Sequence, residues 1–134
     1  MRSLLELAEN FGKGPLQVKV IAENQGISTK YLEQLMVMLK SAGLVRSIRG
    51  SKGGYVLAKN PGEIRLSECF AVLEGDFIAA DCFEKGVVCS RSADCVMKEV
   101  WKELQDAVNN VLNSKNLQDL VEMEKRSKNI SYQI

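Results

Sequence analysis

The stretch from Val18 to Leu57 constrains the fold more than any other part of the chain. Val18, Ile21 and Ala22 recur at three- and four-residue spacing, which predicts a short helix from about Val18 to Asn24. Gln25-Gly26-Ile27 then reads as a tight turn. Ser28 reads as the N-cap of a longer helix, with Ile27 before it and Leu32 inside it forming a hydrophobic staple. Leu32, Leu35, Met36 and Leu39 supply the inner face of that helix, and Gly43 closes it in a left-handed conformation. A short helix, a glycine turn and a longer helix opened by small polar residues form a helix-turn-helix pattern.

The next residues predict a β-hairpin. Leu44-Val45-Arg46-Ser47-Ile48 alternates as a strand does, and Tyr55-Val56-Leu57 is the return strand. Between them, Arg49-Gly50-Ser51-Lys52-Gly53-Gly54 is basic and rich in glycine. The loop lacks the spacing of a nucleotide-binding P-loop, and no helix follows it. A hairpin tip carrying Arg and Lys beside a helix-turn-helix suits contact with DNA phosphates. The charge distribution agrees. Residues 1–62 hold nine Lys or Arg against four Asp or Glu, a balance of +5, whereas residues 63–134 hold nine against thirteen, a balance of −4. No acidic residue occurs between Glu33 and Glu63, while Lys40, Arg46, Arg49, Lys52 and Lys59 do. A basic stretch in a chain whose net charge is only +1 points to a polyanionic partner.

Helical periodicity accounts for most of the remainder. Leu4, Leu5, Leu7, Ala8 and Phe11 mark a first helix ended by Gly12-Lys13-Gly14-Pro15. Leu66 to Leu73 reads as a connecting helix. From about Ala93 to Asn113, Val96, Val100, Trp101, Leu104, Ala107, Val108, Val111 and Leu112 define one long helix of roughly 30 Å. So small a chain offers little apolar surface to cover it, so it is expected to pair with its counterpart in a homodimer. Asn116 is placed as the cap of a last helix with Leu117, Leu120, Val121 and Met123 facing inward, and Lys125-Arg126-Ser127-Lys128-Asn129 as a frayed polar tail. The expected class is mainly α with a small β-wing: a winged helix-turn-helix over 1–62, a connecting helix and cysteine loop over 63–92, and a dimerisation helix with a C-terminal helix over 93–134. No apolar run reaches the roughly 18 residues of a membrane span, and the first residues lack signal-peptide design, so no membrane association and a cytoplasmic location are expected.

The cysteines carry the second chemical signal. Cys82, Cys89 and Cys95 fall within one polar, glycine-containing segment, and a loop of this kind can wrap several thiolates around one centre. On spacing alone the trio reads equally as a zinc or iron–sulfur site or as plain thiols. Cys69 lies in the connecting helix and reads as a small core residue. The chain has no histidine, which removes the Cys2His2 zinc site, the Ser-His-Asp triad and any imidazole general base. No enzymatic activity is expected. The cysteines by themselves also suit a thiol-redox or electron-transfer protein, but that reading leaves the basic hairpin unexplained.

Glu23-Asn24-Gln25-Gly26-Ile27-Ser28-Thr29-Lys30-Tyr31-Leu32-Glu33-Gln34-Leu35 resembles the recognition segment of the Rrf-type winged helix-turn-helix transcription regulators, the IscR- and NsrR-like group. Ala42-Gly43-Leu44-Val45 and the Arg49–Ala58 hairpin are similar to that family's wing. Leu73-Glu74-Gly75, the three later cysteines and Trp101 extend the likeness through the second half. The resemblance implies a dimer bound to a double-stranded DNA operator. Ser28, Thr29, Lys30, Tyr31, Glu33 and Gln34 would read the duplex, and Arg49, Ser51, Lys52 and Gly53 would grip it through the wing. Glu33 would accept from cytosine or repel phosphate, and so discriminate between sites. The resemblance further implies a 2Fe–2S or 4Fe–4S cluster on Cys82, Cys89 and Cys95, with an apo form that lacks it, and a regulator that senses iron–sulfur or redox status. The alternative within the family is a cluster-free regulator of sulfur or cysteine metabolism. Two departures stand out. Family members usually begin upstream of the point where this chain opens, with a segment leading into the first helix. IscR-like members also place a histidine three residues after the last cysteine, where this chain has Lys98. A fourth ligand would then come from a carboxylate or a small molecule.

Overall fold

A computed structural model describes residues 1–80 and 94–132. Six α-helices and one antiparallel hairpin are present among them. The helices are α1 (Arg2–Glu9), α2 (Val18–Gln25), α3 (Thr29–Ser41), α4 (Leu66–Leu73), α5 (Val96–Ser114) and α6 (Leu117–Tyr132), and the strands are β1 (Val45–Ile48) and β2 (Gly54–Leu57). A single 3-10 turn over Pro61–Glu63 precedes α4. The fold is that of a winged helix-turn-helix.

Local chemistry explains the boundaries. The Ser28 hydroxyl accepts from the Tyr31 N–H at 3.1 Å, capping α3 as its sequence suggests. At the far end Gly43, with φ 76°, lets the chain reverse, so that the Gly43 N–H reaches the Lys40 carbonyl and the Leu44 N–H reaches Leu39. A side chain at that φ would be strained, which is why glycine suits this stop. Helix α2 ends the same way at Gly26. Asn116 and Asp119 form a reciprocal cap before α6: each side-chain oxygen accepts the other's backbone N–H, at 2.8 and 2.9 Å.

One core joins these elements. Leu4, Leu7 and Ala8 of α1, Ile21 and Ala22 of α2, and Leu32, Met36 and Leu39 of α3 are buried together with Val45 and Leu57, which pair across the hairpin. Ile64, Leu66 and Cys69 extend the core toward α4. Leu117 and Val121 bring α6 into it. Backbone hydrogen bonds from Leu66 N–H to the Lys115 carbonyl and from Leu117 N–H to the Ile64 carbonyl, both 2.9 Å, fasten the starts of α4 and α6 side by side.

Three local expectations change. Phe11 lies beyond the end of α1 and is exposed, because the chain turns at Asn10 before Phe11 can join the inner face. The polar run Lys125–Asn129 is not frayed; it continues α6, where Lys128 pairs with Glu124 one turn back and with Glu9 of α1. Met123, expected to face inward, is exposed, since the inward face of α6 is set by Leu117 and Val121 four residues apart.

Candidate nucleic-acid interface and cysteine segment

Burial of Leu32, Met36 and Leu39 fixes which side of α3 remains outside. The residues left on the surface are Thr29, Lys30, Tyr31, Glu33, Gln34, Val37, Met38, Lys40 and Ser41. All six residues proposed from sequence at the head of α3 are exposed, Ser28 included, although the Ser28 hydroxyl is also engaged as the helix cap. Val37 and Met38 were not anticipated. Their only signal was that they fall off the inner periodicity while being apolar.

A single β-bridge outside the two strands braces the wing. Tyr55 of β2 exchanges both backbone hydrogen bonds with Leu16, at 2.8 and 3.0 Å, so the segment before α2 adds a bridge to the hairpin. Gly54 permits this approach: a Cβ there would lie 2.2 Å from the Leu16 carbonyl oxygen. At the tip, Arg49, Ser51 and Lys52 are exposed, whereas Gly53 is buried and its N–H donates to the Gly50 carbonyl at 3.0 Å. Gly53 therefore shapes the tip, and the charged side chains offer the surface. Lys40 near the end of α3 donates to the Ser47 hydroxyl of β1 at 2.8 Å, tying helix and wing together.

A further contact orients the reading helices. The Glu6 carboxylate accepts from the Asn24 amide at 2.6 Å with one oxygen and from the Gln25 amide at 2.7 Å with the other. This clamp holds the end of α2, immediately before the turn, against α1. Sequence periodicity could not reveal it, because the partners are far apart in the chain.

Of the three loop cysteines, Cys95 is described and Cys82 and Cys89 lie outside the described residues. Cys95 is half-buried at the N-cap of α5, and Lys98 follows one turn later with its backbone N–H on the Cys95 carbonyl at 3.1 Å. Cys69 is fully buried among apolar side chains, and burial pushes its thiol up to about 11, with Glu68 adding to the effect. A thiol so disposed is a core residue and a poor source of thiolate. Three cysteines in one segment are of the type that can hold a thiolate-bound centre, but among the described residues no group of three possible ligands is brought together.

Helix α5 presents two faces. Trp101, Gln105, Val108, Asn109 and Leu112 are half-buried, and α4 packs against this helix. Beside that face, Val96, Val100, Leu104 and Val111 are 78%, 50%, 45% and 56% exposed, in line along the helix with Ala107. No residue of α5 is fully buried. Among the described residues, no helix is long and apolar enough to cross a membrane.

With this geometry in view, the family model described as "Rrf2: Iron-dependent Transcriptional regulator" matches residues 1–123. The chain belongs to the Rrf2 family. It is 40% identical over 117 residues to the HTH-type transcriptional regulator CymR of Bacillus subtilis, covering 87% of this chain and 80% of that protein. The HTH-type transcriptional regulator IscR of Cronobacter sakazakii is 38% identical over 119 residues, 89% of this chain and 73% of that protein. Among solved structures, CymR of B. subtilis, described as its global cysteine regulator, aligns with a TM-score of 0.77 over 90% of this chain and 88% of that one, at 40% identity. As an Rrf2 member the chain is a transcription regulator with a DNA-binding winged helix.

Proposed function

We propose that this Rrf2 regulator is a homodimer that binds an operator through α3 and the wing and adjusts that binding through Cys82, Cys89 and Cys95. The observation that carries the DNA half is the surface left when α3 buries its inner face: a polar, partly basic helix start linked through Lys40 and Ser47 to a hairpin tip bearing Arg49 and Lys52. In a two-fold dimer the α3 helices would enter the major groove about one helical turn apart, roughly 34 Å. Thr29, Lys30, Tyr31, Glu33 and Gln34 would meet base edges and phosphates, and Glu33 would penalise sites lacking a donor opposite it. Ser28 would act from the helix cap. Arg49, Ser51 and Lys52 would hold the backbone or flanking minor groove, with Gly53 setting the loop. Selection from randomised duplexes, followed by titration of Gln34→Ala and Glu33→Ala, tests this: base preference should change while folding does not. Unchanged preference in both variants would remove α3 from base reading.

For the sensor, an iron–sulfur cluster on Cys82, Cys89 and Cys95 would supply a centre whose presence depends on iron, sulfide and oxidants. These cysteines lead directly into α5, so their ligation state would set how the segment meets the dimer helix, and through it the spacing of the two α3 helices. The IscR relatives support this reading. The CymR likeness and Lys98, standing where IscR-like proteins carry histidine, favour a second reading, a cluster-free regulator of cysteine or sulfur metabolism with the same three thiols. Protein purified without oxygen, with iron and sulfide counted and its visible spectrum recorded, separates the two. Colour that bleaches in air and is lost when any one of the three cysteines becomes Ala supports the cluster. Colourless protein whose operator binding is the same before and after reconstitution supports the second reading.

A further inference from the structure

Helix α4, the Gly75–Ile78 segment and α5 line a half-open cavity of about 570 Å³ that includes neither Cys95 nor any residue assigned to DNA contact. Its size lies within the range of small-molecule sites, roughly 300–1,000 Å³. Phe70 of α4 and Leu112 of α5 give it an apolar wall, and Ser67, Asp76, Gln105 and Asn109 give it a polar one. The Gln105 side-chain oxygen accepts the Ala79 N–H at 3.1 Å, which pins the segment after α4 onto α5 and closes that side of the cavity. Among the described residues, Ser67, Asp76 and Asn109 have no side-chain hydrogen bond or ion pair, and no Lys or Arg lines the cavity. Asp76, exposed at the mouth, is the one charged side chain among the described lining residues, and a carboxylate there favours a ligand that brings its own positive charge. The cavity is also distinct from the described cysteine: Gln105 follows Cys95 by ten residues of α5, about 15 Å along the axis.

We propose that this cavity binds a free amino acid or a similarly small amine, with its ammonium group on Asp76, its polar remainder on Ser67 and Asn109, and its apolar part against Phe70 and Leu112. The position suits an effector, a role that rests on the regulator reading above. Helix α4 packs against both α3 and α5, and the pinned segment runs directly into the stretch that carries Cys82 and Cys89. A ligand that fills the cavity would stabilise the closed arrangement of α4 on α5, and through α4 bias the seating of α3.

The single tryptophan, Trp101, sits one turn before Gln105 on the same side of α5 and serves as the reporter. The whole chain is titrated with each of the common free L-amino acids in turn, and each is compared with its N-acetyl form. At least one free amino acid should give a saturable change in Trp101 emission and raise Tm by roughly 5 °C near saturation. N-acetylation and Asp76→Asn should each weaken that response at least tenfold, about the effect of losing one charge-assisted contact. Asn109→Ala should weaken it less. Absence of a saturable response to every free amino acid, an equal response to the N-acetyl forms, or an unchanged response in Asp76→Asn would overturn the proposal. Operator binding without ligand keeps the two readings apart. Asp76→Asn should bind duplex DNA as the parent does. A parent that binds an amino acid but no duplex DNA would sink the regulator role and leave the cavity site standing.

Discussion

Helices α3 and α5 both carry a long apolar face, and the chain treats the two faces in opposite ways. In α3, Leu32, Met36 and Leu39 are buried within the core, with α2, α4 and β1 packed against the helix, so the surface left outside is set by what the core consumed. In α5 nothing is fully buried, and Val96, Val100, Leu104, Ala107 and Val111 line up in the open. Four large side chains left about half exposed or more on one helix are costly for an isolated protomer, since burying the remainder of each would gain roughly 1–2 kcal/mol. The core of α1–α4, the hairpin and α6 is thus complete within one chain, whereas one arc of α5 is left exposed. In the proposed dimer, this would leave the reading surface fixed by the core of each protomer and the spacing of the two surfaces set by α5.

Substitutions on the two helices should therefore act in opposite ways. Met36→Ala should cost about 3 kcal/mol of stability, because it empties a fully buried site at the centre of the core. Thermal or denaturant unfolding measures it, and a loss under 1 kcal/mol would mean that α3 is held less by its core than its burial indicates. Val100→Asp with Leu104→Asp should do the reverse. Protomer stability should hold while sedimentation shifts from dimer to monomer, and operator affinity should fall about a hundredfold as linkage of the half-sites is lost. A variant that stays dimeric would place the interface elsewhere. Val108→Asp sharpens the distinction: this residue lies half-buried on the flank toward α4, so it should destabilise the protomer as well as the dimer.

Smaller effects are expected at the wing and in the helix that joins the halves. Arg49→Ala with Lys52→Ala should weaken binding to all duplexes about tenfold and lower the slope of log affinity against log salt by up to about 2. An unchanged slope would take the wing tip off the phosphates. Cys69→Ala should cost about 1 kcal/mol and leave any chromophore intact, as a modest truncation in the core. The Cys69 thiol titrates higher when folded, about 11 against an ordinary value of 9.0, so folding favours its neutral form. Its contribution to stability is full below pH 9 and is lost as pH rises through 11. Comparing the parent with Cys69→Ala across that window tests the sign, and a difference that grows with pH would refute it.

The order and kind of the elements were legible in the chain because each depends on near neighbours. Apolar spacing located α2 and α3, Ser28 and Asn116 announced caps that the backbone uses, and Gly26 and Gly43 marked the stops. Basic residues flanking a glycine hairpin marked the wing. Tertiary structure decided what depends on residues distant in sequence. Leu16 pairs with Tyr55 because Gly54 leaves room for its carbonyl, Glu6 reaches Asn24 and Gln25 only once α1 lies beside α2, and Lys128 finds Glu9 only when α6 packs on α1. Periodicity can show that α5 is apolar along a broad arc. Which part of that arc α4 covers, and which part is left for another surface, is fixed by packing, because burial belongs to a pair of surfaces and a sequence pattern describes only one of them.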